Sequence, residues 1–114
     1  MTTSADEIFS KISDAAQDAF KDGWAAVKDY APAEFRKMAV QLESIAENLA
    51  KYEINSEDGY SPATGKILFR MQRTACESVL VAVTQLTLIA VQKALNAIIK
   101  VLKDAFGAAL SAVL

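Results

Sequence analysis

Lys66, Arg70 and Arg73 fall at i, i+4 and i+7. On a helix all three project from one face, where they could bind a phosphate or an acidic partner. The plainer use of such cations is to pair with acids on the preceding helix, and that pairing is the expectation. Glu43 and Glu47 lie one turn apart, the spacing that would set two carboxylates side by side in a metal or acid-base site. With no histidine beside them they read as a solvated acidic face. The chain has no histidine at all, which removes the side chain that titrates near neutral pH and the commonest zinc and haem ligand. Cys76 is the single cysteine, so no internal disulfide or thiol cage can form, and it reads as a small core residue. Gly23, Gly59, Gly65 and Gly107 stand isolated, unlike a phosphate-cradling loop, and no serine sits in a nucleophile elbow. The expectation is a non-enzymatic protein without cofactor or metal.

Composition narrows the class. Apolar residues make up 53% and charged residues 23%, enough apolar surface for a packed core, while four glycines and two prolines are too few for the turns of an all-β protein. At 114 residues the chain is expected to form a single helical domain, residues 1–114. Residues 1–58 carry twelve acids and six bases, whereas residues 59–114 carry two acids and six bases. The two halves should attract and neutralise each other. With a pI near 5.1 a nucleic-acid partner is not expected.

These side chains need helices to position them. Ser4-Ala5-Asp6-Glu7 has the form of a capping box, so a helix is predicted from about residue 5. Ile8, Ile12, Ala16, Phe20, Trp24 and Val27 then recur every three or four residues, with Asp14, Asp18 and Asp22 as an acidic row on another face, which carries the first helix over about 5–29. Pro32 cannot donate a backbone hydrogen bond. It ends or kinks that helix and suits the first turn of a second over about 33–53, whose seam is Phe35, Met38, Leu42, Ile45, Leu49 and Tyr52. Residues 54–65 gather Asn55, Asp58-Gly59, Ser61-Pro62 and Gly65 and are predicted as the one loop. From there a single helix over about 63–110 is predicted. Its first stripe is Ile67, Leu68, Met71, Ala75, Val79, Ala82 and Leu86; its second is Leu88, Val91, Leu95, Ile98, Leu102, Ala105 and Ala109. The shift of register between Leu86 and Leu88 implies a bend or a rotation of the buried face. Trp24, Tyr30, Tyr52 and Tyr60 are expected to close the ends of the core.

The predicted class is therefore all-α, an antiparallel helical hairpin or a three-helix bundle with a long apolar C-terminal helix. In a hairpin centred near residue 58, Glu43 faces Arg73, Glu47 faces Arg70, and Asp14, Asp18 and Asp22 face Lys103, Lys100 and Lys93, which favours that form. Exposed pairs of this kind contribute only about 0–1 kcal/mol each.

Residues 79–114 hold 25 apolar side chains against four charges, a helix too apolar for one neighbour to cover. The leading expectation is a self-assembly or adaptor protein that binds its own copies or another helical protein through Leu88, Val91, Leu95, Ile98 and Leu102. Leu95→Glu with Ile98→Glu would then dissociate the assembly. A second expectation is a membrane-active, pore-forming or holin-like protein using the same segment. Residues 79–99 are long enough to span a bilayer, yet include Thr84, Gln85, Thr87, Gln92, Lys93 and Asn96, so insertion would be conditional. A third is a small acidic regulator or inhibitor acting through Asp14, Asp18 and Asp22. The polar, acidic start lacks the features of a signal peptide. The expected location is the cytoplasm, with membrane association or export without a cleaved signal as alternatives.

Overall fold

The computed structural model describes residues 4–114, and every regular element among them is a helix. The Ser4 hydroxyl accepts from the Glu7 amide at 3.1 Å, starting α1 (Ala5–Phe20) with Ile8, Ile12, Ala16 and Phe20 buried. The helix stops nine residues short of its predicted end. Lys21 turns the backbone out at φ 53°, ψ −121° while its amide still bonds the Gln17 carbonyl. A 3-10 turn (Lys21–Gly23) and one helical turn, α2 (Trp24–Val27), follow. Then comes α3 (Ala31–Ile54), with Pro32 in its first turn and Phe35, Met38, Leu42 and Ile45 buried.

The connection to α4 is residues 55–61. Asn55 Oδ1 accepts from the Glu57 amide at 3.0 Å, and Gly59 adopts φ 62°, a conformation that a side chain makes costly. Ser61 caps α4 (Pro62–Val83) through the Thr64 amide. The predicted unbroken helix over 63–110 is instead two helices. Thr84 Oγ1 donates to the Leu80 carbonyl at 2.6 Å and accepts from the Leu86 amide at 3.1 Å, so its hydroxyl closes α4. Thr87 Oγ1 accepts from the Ala90 amide at 3.1 Å and opens α5 (Leu88–Leu110), the N-cap role that threonine favours.

Neither predicted arrangement forms; the chain is a four-helix bundle. Its cyclic order is α1, α3, α4, α5, each packed antiparallel on the next and α5 closing onto α1. The Ala5 amide donates to Glu43 at 2.7 Å, while at the other end of α1 the rings of Phe20 and Phe35 lie 6.5 Å apart. Phe20 also packs on Trp24 at 6.5 Å. The α1 to α5 and α3 to α4 contacts that a hairpin would make are present, but the charge pairs that favoured it do not form among the described residues. Both long arms break near the middle, at 21–30 and at 84–87, and the hairpin doubles over. Doubling gives each apolar stripe two neighbours, so one core runs from Ile8 to Val113. Gly65 lets α4 approach Ile45 and Val113, which a Cβ there would meet at 3.1 Å.

Lys21 occupies a backbone region that costs a side-chain-bearing residue about 1–3 kcal/mol, part of which glycine gives back through its freer unfolded chain. Lys21→Gly is expected to raise stability by about 1 kcal/mol, a melting-temperature gain of roughly 4 °C, and Lys21→Ala to leave it unchanged. Thermal melts followed by circular dichroism check this.

Candidate functional site

The stripe expected to face a partner is covered by the chain itself. Val91, Leu95, Ile98 and Leu102 are fully buried, and only Leu88 remains half-exposed. α5 loses this face to α1, which it meets along most of its length. A glutamate at 95 or 98 would therefore put a charge into the bundle's own core and open it, rather than release a neighbour.

The surface that stays open is on α4. Its buried side is Gly65, Phe69, Cys76, Glu77 and Leu80, not the first stripe expected from the sequence. Ile67 is 58% exposed and Met71 64%. With Ala63, Thr74, Ala75, Ser78 and Ala82, also exposed, they make an outward face that Arg70 borders. α1 differs: Asp6, Glu7, Lys11, Asp14 and Asp18 all face water. Of nine large apolar side chains exposed among the described residues, six lie on α4 and α5: Ile67, Met71, Val83, Leu88, Ile89 and Val101.

Beside this face α4 and α5 stand apart, the least closely packed neighbours in the bundle. A cleft of about 380 Å³ opens between them, lined by Lys66, Arg70 and Arg73 above Phe69, Ile99 and Val113. The three cations of the i, i+4, i+7 motif do converge. They do not pair with α3 as expected. Arg73 donates through Nε to Glu77 at 3.0 Å and through Nη2 to Asn96 at 2.5 Å, and Gln92 donates to the other Glu77 oxygen at 3.4 Å. Lys66 and Arg70 have no acidic partner within 4 Å among the described residues. Glu43 is occupied at the start of α1, where the helix dipole favours a carboxylate, and Glu47 faces water. Asp14, Asp18 and Asp22 are exposed and form no ion pair with Lys103, Lys100 or Lys93. Arg36 holds Asp6 at 2.7 Å and lies 4.1 Å over the Phe9 ring.

Cys76 is buried. Burial first, then the neighbouring Glu34 and Glu77 carboxylates, push its thiol up to about 12, against the smaller pull of Arg73 and Lys37. Glu34 is nearly buried and is held by Lys37 Nζ at 3.0 Å. Among the described residues no group of three His, Cys, Asp or Glu side chains is placed to hold a metal, and no helix is long and apolar enough to cross a membrane. No protein-family model, curated protein or solved structure matches the chain.

Two measurements probe this region. Arg73→Ala strands Glu77, 10% exposed at its side chain, and should cost about 2–3 kcal/mol in denaturant unfolding, whereas Lys66→Ala and Arg70→Ala should stay within about 0.5 kcal/mol. For Cys76 the folded-state value lies above the ordinary 9.0, so its contribution to stability is complete below pH 9 and disappears as pH rises toward 12. Wild type should therefore lose more stability than Cys76→Ala between pH 8 and pH 11, read from urea titrations.

Proposed function

We propose that the chain is a non-enzymatic helical interaction protein that associates through the outer surface of its C-terminal hairpin, α4 and α5, with a copy of itself as first partner and another helical protein as the alternative. The observation that carries this reading is the outward face of α4, where Ile67 and Met71 stand exposed and Arg70 only borders the patch. An ordinary solvent-facing helix sets charges at those positions, as α1 does here; Ile67 and Met71 instead stand in water to more than half their surface. Val83, Leu88 and Ile89 extend the same character to the turn between the helices. The buried stripe of α5 takes no part in the contact, which falls on exposed residues alone.

Covering Ile67, Met71, Leu88 and Ile89 returns about 1 kcal/mol each, barely matching an association cost of at least about 4 kcal/mol. Such an interface is weak and dependent on concentration. Light scattering behind size exclusion should show a mass that rises above 12.3 kDa with protein concentration. Ile67→Glu with Met71→Glu should return it to the single-chain mass with the helical spectrum intact. A wild-type mass of one chain at every concentration overturns self-association.

A further inference from the structure

The cleft between α4 and α5 differs in kind from the outward face of α4, and we infer that it binds a small amphipathic anion: a phosphate or carboxylate group joined to a slender apolar body. Two free cations, Lys66 and Arg70, sit one turn apart at its rim. Arg73 is held in place by Glu77 and Asn96 through Nε and Nη2, so its remaining nitrogen is presented on a guanidinium that needs no reordering. Below the cations lie Phe69, Ile99 and Val113, each nearly buried. That floor sets a small apolar patch beside the charges, which a slender apolar body can contact.

Dimensions choose between a molecule and a protein segment. The cleft follows α4 from Lys66 to Glu77, about 16 Å of helix. Even its whole empty space of about 800 Å³ is smaller than the roughly 1,250 Å³ of a helix of that length and about 10 Å diameter. An incoming helix does not fit, whereas a single chain or a flat ring does. The volume also lies in the usual range for small-molecule sites. The proposal is tested apart from self-association, because Ile67 and Met71 do not line the cleft.

Octyl phosphate below its micellar concentration is the probe, titrated by calorimetry with inorganic phosphate and octanol as its two halves. One molecule per chain should bind, with each half at least about tenfold weaker. Lys66→Ala with Arg70→Ala should weaken octyl phosphate by about tenfold or more without moving the melting temperature, and Ile67→Ser with Met71→Ser, which add no charge beside Arg70, should leave binding unchanged. Co-sedimentation with phosphatidylglycerol vesicles separates the sources of the anion: loss of vesicle binding in the Lys66, Arg70 variant assigns a lipid headgroup, and wild type that binds octyl phosphate but no vesicles assigns a free amphiphile. No saturable binding, or equal binding by wild type and the double variant, overturns the inference.

Discussion

A helix with Val91, Ala94, Leu95, Ile98, Ile99 and Leu102 on one side carries an apolar stripe too broad for one neighbour, and the fold is arranged around covering it. α1 takes most of that task, with Ile8, Ile12, Ala16 and Phe20 fully or nearly buried in the same core. For α1 to reach α5 while α3 lies along α4, the chain must break twice. Both breaks are local and cheap: Thr84 and Thr87 satisfy the helix ends through their own hydroxyls, and Lys21 accepts an awkward backbone angle. What the rest of the molecule exposes follows from where these breaks fall.

The polar groups inside the bundle are kept to short ladders. Glu77 is held by Arg73 and Gln92, and Glu34 by Lys37. Among the described residues no buried side-chain nitrogen or oxygen lacks a partner. The three ion pairs that are resolved each join residues of the same half of the sequence. The basic half therefore does not spend its charge on the acidic half, and Lys66 and Arg70 stay open to solvent. The Arg73 ladder also stands between α4 and α5, where apolar interdigitation would have drawn the helices together.

Much of this was legible before any coordinates. The Ser4 cap, the start of the second long helix at Pro32, the loop after Ile54 and the Phe35 to Ile45 seam all follow from local rules that the fold respects. The break at 21–30 is hidden because hydrophobic spacing continues across it, whereas the shift of register between Leu86 and Leu88 signals a bend at 84–87 without showing that the helix stops there. Phe20, Trp24 and Val27 keep a helical interval, although Asp22-Gly23 between them is a turn-forming pair. Thr84 and Thr87 were read as polar blemishes in an apolar run rather than as two caps. The convergence of Lys66, Arg70 and Arg73 was visible from spacing alone, whereas their partners depend on which helix lies beside α4, a tertiary fact. α4 has two apolar sides, and periodicity cannot say which one turns inward. Phe69, Cys76 and Leu80 form the side buried in the core, leaving Ile67 and Met71 outside.

The closure of α5 onto α1 joins segments at opposite ends of the described chain. Contacts within the α3 to α4 and α4 to α5 hairpins need only short loops to be drawn shut, but the α1 to α5 seam bridges more than sixty intervening residues, the costliest loop entropy in the molecule. That seam is the last to gain from being made and the one whose loss bares the most apolar side chains at once. Loop entropy therefore favours assembly from the middle of the chain toward its two ends.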